Sequence, residues 1–548
     1  MAVTNPKYLK DRFAIAAGGH NSGDDPEWIG ATQYAGSRNV TMRGGRVQSR
    51  PRFRKRAELP TDPGNGVYFQ GMHFFKGTGQ MVMRAGGKLF VLEPNALGFV
   101  EVGGFQSNPY KEQVWFEEVG GLLVMQDGQQ TPSRFDGAGV AFAEGVPVGT
   151  AMRFANGRLH LARAGNRRNL EVGDILQEGD PETALRFTES GYLLGGGSFA
   201  FPDPITALHE IPIMDTGSGQ GSMVVGTTRN VYSLRTEIVN RDLWSGVDGF
   251  VRPLLPGIGV AGPRSVAAVN NDLYFRSTRG LRSLRMAVGE QQSPGYGGLQ
   301  QEIPEKFYDW GLGQNSTIHA GDRLLTLVHP RIEGHRWVYE GAVVINFESI
   351  NRLGEKSPLA FDGYWDLPEG HGFRQLLEVD GKAFAVVLTP SGDELWELQG
   401  EGNEFFGESP EQEFVTRAMN GGDFGGLKVF RRLDLWMGGI RSDVELDIYV
   451  RADRKRDWVH WLGYGEDGNP LEHTLEVTRT VGGGYNPKLP EDAVSRLTLP
   501  SPPERLAGYS FQVKVAWRGR CRIDLLQAYF QPIAESEFAV TSTPIELT

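Results

Sequence analysis

The chain reads as short apolar runs broken every few positions by glycine, asparagine or aspartate. In residues 79–93, GQMVMRAGGKLFVLE, two such runs flank Gly86-Gly87, which predicts a tight-turned hairpin. The plan repeats. Residues 113–137 turn at Gly120-Gly121 and Asp127-Gly128, and residues 151–165 turn at Asn156-Gly157. Residues 265–284 turn at Asn270-Asn271 and near Gly280, and residues 316–328 at Gly321-Asp322. Residues 374–398 turn at Asp380-Gly381 and again at Gly392-Asp393. The spacing is irregular, roughly 40 to 60 residues, and strand-rich units repeated at about that length suggest propeller blades. A pair of β-sandwiches built from similar hairpins is the alternative. Helical periodicity is nearly absent; EKFYDWGLG (305–313) is the one candidate for a turn or two.

The pattern changes between residues 400 and 425, where GEGNEFFGESPEQE and NGGDFGG interrupt it. Beyond, Val444, Leu446, Ile448 and Val450 alternate with Glu445, Asp447, Tyr449 and Arg451, a strand with one wet face. The expected architecture is all-β: an extended N-terminal segment (1–60), a β-propeller (61–410) and a small, jelly-roll-like β-sandwich (411–548).

Composition supports a turn-rich fold. Of 548 residues 74 are glycine, against roughly 7% in average proteins. A single cysteine, Cys521, excludes an intrachain disulfide and is expected to be a packed core thiol. No apolar run approaches the roughly 18 residues of a membrane span, and FAIAA at 13–17 is too short for a signal sequence. No membrane insertion is expected.

Little in the sequence announces catalysis. Ten histidines are scattered, and His329 and His335 alone come near ligand spacing. DTGSGQGSMVV (215–225) lacks the Lys-Ser/Thr ending of a phosphate-binding loop. YGEDGNP (464–470) and FDGYWD (361–366) contain carboxylates but miss the calcium-loop spacing, and read as turns. We expect no enzyme activity, no cofactor and no metal. Trp458 and Trp461, around His460, are the candidates for stacking on a glycan, with a sandwich core or rim as the plainer role.

Charge is distributed unevenly. The net charge is −11, yet residues 1–57 hold 11 basic and 4 acidic residues, which leaves −18 on the rest. Between Arg38 and Arg56 lie eight basic residues and no acid. An acidic body excludes a protein that grips nucleic acid over its whole surface.

Several segments together resemble the tail nozzle, or packaged-DNA stabilisation, proteins of short-tailed bacteriophages. They are AAGGHNSGDDPEWIGATQYAGSRNVTMRGGRVQSRPRF (16–53), QDGQQTPSRFDG (126–137), NGRLHLARAGNRRNLEVGDI (156–175), ITALHEIPIMDTGSGQG (205–221) and GPRSVAAVNNDLYFRSTRGLRSL (262–284). The opening departs from the family pattern at His20, after the glycine pair, and at Arg52, after Arg50-Pro51. The resemblance covers roughly residues 13 to 285. It implies a β-propeller joined to a smaller β-domain, and copies assembled as a ring, usually sixfold, below the portal and adaptor. Such a homohexamer lets DNA leave through its channel, contacts the adaptor ring and possible tail fibres, and belongs to the virion after assembly in the host cytoplasm. An acidic channel wall would let DNA slide by like-charge repulsion.

For the basic stretch the expectation is an assembly strap, with Arg43, Arg46, Arg50, Arg52, Arg54 and Arg56 meeting carboxylates on a neighbouring subunit or adaptor. A solvated linker and a local DNA contact are the alternatives. From another functional class, the alternative for the whole chain is a carbohydrate-binding or glycan-cleaving receptor-recognition propeller. A tail-fibre adaptor at the nozzle is a third.

Overall fold

The computed structural model describes residues 8–14, 16, 18–104, 106–188, 197–211, 222–238, 241–277, 280–285, 315–333, 336–348, 360–400, 410–440, 444–453, 455, 457–461, 475–477, 495–499, 502 and 505–533. The expected helix at 305–313, residues 215–221, residues 401–409, His335 and the loop at 464–470 lie outside them.

The chain folds into two compact units, one of residues 52–343 and 367–406, the other of residues 1–51, 344–366 and 407–548. The first is a β-propeller. Four of its blades are four-stranded antiparallel sheets in chain order, beginning with the strands Phe69–Phe75, Trp115–Val119, Gly149–Ala155 and Ile205–Glu210. A fifth comprises Val266–Val269, Asp272–Ser277 and Gly280–Ser283. The sixth begins with Thr317–Ala320 and the seventh with Gly372–Val379. Among the described residues there are thus seven blades, and the first strand of the seventh packs against the first strand of the first, closing the circle.

Alternation explains why the blades cohere. In Gln80–Ala85, Met81, Met83 and Ala85 point into the core shared with the seventh blade, while Val82 enters the core shared with the second. In Leu122–Gln126, Leu123 and Met125 pack toward the first blade, Leu122 and Val124 toward the third. Both faces of each sheet are covered, so these strands read as unbroken apolar runs. The turns sit where the sequence places them. Gly86 and Gly87 have φ of 53° and 77°, and Asn156-Gly157 have 52° and 73°. Two successive left-handed residues give a hairpin turn whose twist matches its strands.

The second unit is a β-sandwich. One sheet contains Lys428–Gly438 and Arg522–Pro532, the other Val444–Ala452 and Phe511–Arg518. Val444, Leu446, Ile448 and Val450 face a core with Phe430, Leu433, Leu435, Phe511, Val513 and Phe530, as the strict alternation predicts.

The expected extended segment at 1–60 is corrected. Leu9–Phe13 pairs antiparallel with Arg522–Pro532, and the hairpin of Val40–Arg43 and Arg46–Ser49 adds to the same strand through Val47 and Ile523. Gly36–Arg38 pairs with Gln412–Val415, and Ala360–Asp366 contributes a further strand. A linear division at residues 60 and 410 misses this, because sheet hydrogen bonds join strands from opposite chain ends as readily as neighbours.

Candidate functional site

The basic stretch spans the end of the first segment of the sandwich and the start of the propeller. Arg43 and Arg46 face each other at the hairpin end; Arg43 is exposed, and Arg46 reaches Asp524 Oδ1 at 2.8 Å. Arg38 pairs with Asp366. Arg50 is only 6% exposed: its Nε donates to Asn39 Oδ1 (3.0 Å) and its Nη2 to the Asp366 carbonyl (3.4 Å).

From Arg52 to Glu58 the chain is the outer strand of the seventh propeller blade, antiparallel to Gly392–Gly400. Basic RFRKRAE lies against acidic GDELWELQG. Lys55 Nζ sits 2.7 Å from Glu394 Oε1 and 2.8 Å from Glu58 Oε1, and Arg54 Nε is 3.9 Å from Glu397 Oε2. Hydrogen bonds to both carboxylates hold the Lys55 ammonium above its ordinary pKa. Arg52 is buried, Phe53 packs edge-on against Phe373, and Ala57 joins the core between the last and first blades. Arg56 is exposed.

The strap reading is therefore corrected for Arg50 and Arg52, which are buried. Arg46 and Arg54 meet carboxylates of their own chain, and Arg43, Arg46 and Arg56 are exposed. The signal was present in the sequence: one basic and one acidic strand bracket the propeller stretch as complementary partners.

The aromatic candidates separate. Trp461 is buried in the sandwich core, edge-on to Phe430 at 4.9 Å, and is no stacking platform. Trp458 lies within cation–π range of the Arg451 guanidinium (4.4 Å) and the Lys514 ammonium (5.4 Å). His460 stacks on Tyr449 and approaches Asp447 Oδ1 at 3.0 Å. Residues 361–366 form a strand and not a turn. Asp362 accepts from the Met42 amide (3.1 Å) and Asn346 Nδ2 (3.0 Å), and Asp366 is taken by Arg38 and Asn39. Cys521 is a buried core thiol, its pKa raised by burial. Among the described residues no cluster of three or more His, Cys, Asp or Glu could hold a metal ion. No helix of the described residues is long and apolar enough to cross a membrane.

Two features went unread in the sequence. The sandwich unit carries a groove of about 670 Å³ lined by Lys10, Asp11, Arg12, Glu27, Arg417 and Phe424, among others. On its lining Phe424 is 69% exposed, and Trp28, between the lining residues Glu27 and Ile29 in the chain, is 82% exposed. Their loops, EWIGA and GGDFGG, gave no periodicity to mark them. In the propeller, Arg264, leading into the fifth blade, donates from Nη2 to the Val114 carbonyl before the second blade (2.7 Å). Burial draws the Arg264 guanidinium down to about 10. It links the segments that lead into the fifth and the second blades.

No family model matches the chain, and no curated protein matches it. Solved structures do. The Neurospora crassa Pan2 WD40 domain is 8% identical, covering 65% of this chain and 99% of that one, with a TM-score of 0.37. The AfRom2 CNH domain is 10% identical, covering 64% and 100%, at 0.38. A chain of the mitotic checkpoint complex is 9% identical, covering 64% and 93%, at 0.36. This chain is an all-β protein, a β-propeller with a β-sandwich, as its own strand pairings define it.

Proposed function

We propose that this protein is a structural component of a short-tailed bacteriophage tail, a nozzle-ring subunit that retains packaged DNA and forms the channel for its ejection. The observation that carries the reading is the two-part plan: a closed propeller and a separate β-sandwich in one chain. That plan is what the resemblance of residues 13–285 implies. The acidic balance of residues 58–548 favours a wall along which DNA slides. On this reading DNA passes between copies of the chain, since Arg264 reaches across the propeller to the Val114 carbonyl.

The groove lined by Phe424 and by Glu27 and Ile29, which flank Trp28 in the chain, is the place for a neighbouring subunit. Large exposed aromatic side chains suit an interaction site, and aromatics that become buried on binding carry much of an interface's energy. Replacing both by serine should leave a folded protein that no longer forms rings or enters tails, read by mass photometry and by electron microscopy of particles. Rings of normal copy number from the double variant would place the interface elsewhere. Particles containing no copy of the protein would end the tail reading.

A further inference from the structure

The strand Leu9–Phe13 is hydrogen-bonded on one side only. It pairs with Arg522–Pro532, Leu9 opposite Phe530 and Phe13 opposite Leu526, and among the described residues no strand takes its other side. The groove of the sandwich unit meets that open side. Lys10, Asp11 and Arg12 all line it. Successive strand residues point to opposite faces, so a groove that touches all three lies along the strand's edge. An open edge of this kind is a template for a strand from another chain.

The charges on the edge select that strand. Asp11 is occupied within its own unit: its Oδ1 accepts from Arg417 Nη2 (2.6 Å) and its Oδ2 from the Asn420 and Gly421 amides (3.0 and 3.2 Å). Glu27, also on the lining, accepts from Ser510 Oγ (2.8 Å). Lys10 and Arg12 are exposed on one face of the strand, Lys10 Nζ over the Tyr529 ring and Arg12 Nε donating to Gln527 Oε1 (3.1 Å). Two cations so placed repel a second copy of Leu9–Phe13 and suit a strand with acids at the same spacing.

The chain contains such a sequence, AESEFAVTSTPIELT at 534–548, outside the described residues. It holds three glutamates and no lysine or arginine. In a strand, Glu535 and Glu537 fall on one face, and Ser536, Phe538 and Val540 on the other. Setting the glutamates beside Lys10 and Arg12 turns Phe538 and Val540 to the face of Phe13, which belongs to the sandwich core. A chain cannot do this to itself. Ile533 continues the strand Arg522–Pro532, its amide donating to the Leu427 carbonyl (3.0 Å), and lies four residues past Tyr529, the partner of Lys10. At about 3.3 Å per residue and about 4.8 Å per strand, a strand neighbour on the open side of Lys10 is roughly 16 Å from Ile533. Two residues reach at most about 7 Å, so Glu535 of the same chain falls short.

We infer that segment 534–548 of one copy adds as a strand to the open edge of Leu9–Phe13 in the next copy. The inference rests on the groove being the seat of a neighbouring subunit, and names what sits there. The segment given and the edge that receives it are different surfaces, so the contact is head-to-tail and makes a ring where the rotation closes.

The test uses the full-length protein, sedimentation velocity and a fluorescein-labelled peptide of residues 534–548. Lys10→Glu with Arg12→Glu should abolish self-association, as should Glu535→Lys with Glu537→Lys, since each sets like charges across the pair. Mixed in equal amounts, the two variants should associate again, because every groove then finds a segment of opposite charge. Mixing repairs no misfolded protein. The peptide should bind the Glu535→Lys, Glu537→Lys variant at least tenfold more tightly than the Lys10→Glu, Arg12→Glu variant. That comparison decides the matter if the parent is monomeric at the concentrations reached. Variants that associate as the parent does, a mixture that stays monomeric while the parent associates, or a peptide indifferent to the Lys10→Glu, Arg12→Glu change would overturn the inference. Particles with normal copy number of the Lys10→Glu, Arg12→Glu variant would end it and leave the tail reading. Association through this pair in a protein absent from particles would do the reverse.

Discussion

Arg50 has its guanidinium against oxygens of its own unit: the Asn39 amide and the Pro51 and Asp366 carbonyls. Burial draws it down to about 9, with the Asp366 charge opposing. Arg50→Gln should therefore destabilise the sandwich by about 1–3 kcal/mol, because it removes donors from buried acceptors. Arg43→Gln, on the surface, should stay within about 0.5 kcal/mol. Urea titrations of the two variants distinguish them. His160 sets a pH dependence of the opposite unit. It is fully buried in Arg158–Arg163, and burial, with the nearby Arg158 and Arg241 charges, pushes its imidazole down to about 4. An unfolded histidine titrates near 6.5, so between about pH 6.5 and 4 the unfolded chain holds a proton the folded one lacks. Propeller stability should fall as pH drops through that window, by up to about 1.4 kcal/mol per pH unit from this residue. Denaturant midpoints from pH 7.5 to 4.5 should show the slope, and a folded His160→Gln variant should reduce it.

The strand Arg52–Glu58 depends on its partner. Opposite it, Glu394 and Glu397 are buried acids whose charges are met by Lys55, Arg54 and Lys382. Arg54→Glu with Lys55→Glu would set like charges across the pair. Cross-strand pairs contribute roughly 0.2–1 kcal/mol each, and buried acids stripped of partners cost more. Hydrogen exchange should then quicken at 52–58 and 392–400 together, while Val444–Ala452 keeps its protection. Uniform quickening in both units would instead mean global unfolding. How much was legible follows from where the information sits. Hairpins with Gly86-Gly87, Asn156-Gly157 and Asp380-Gly381 could be read because turn chemistry is local. The turn expected at Gly392-Asp393 lies two residues earlier, at Pro390-Ser391, since Gly392 already pairs with Thr389. The alternation of residues 444–452 gave the sandwich face, and the unbroken runs of the blades gave strands buried on both sides. Strand partners 340 residues apart left no periodic trace, so Arg52 and Lys55 read as surface charge. The groove lined by Lys10, Glu27 and Arg417 was illegible for the same reason: it draws on segments far apart in the chain, and no short motif contains it.

For the whole molecule, the ring's seal joins the first and last strands of the propeller stretch, with Lys55 beside Trp396. Each blade buries its faces on its neighbours, so an unsealed ring leaves an open sheet edge on Gly392–Gly400 and a bare apolar face on the first blade. A chain ending at residue 390 should consequently be cut by trypsin within 52–56, while the full chain resists there; equal resistance would mean that the strand does not seal the ring. Synthesis gives this geometry a direction in time. The strand Arg52–Glu58 leaves the ribosome early and waits until residue 400 has been made. At about 5–20 residues per second, that interval is tens of seconds. A bare strand is hazardous for so long, since any passing edge can capture it. Arg52, Arg54, Lys55 and Arg56 make copies of it repel one another, and only an acidic strand such as GDELWELQG satisfies them. The charges that look like an invitation to other molecules instead keep the strand available to its own chain until translation delivers the match.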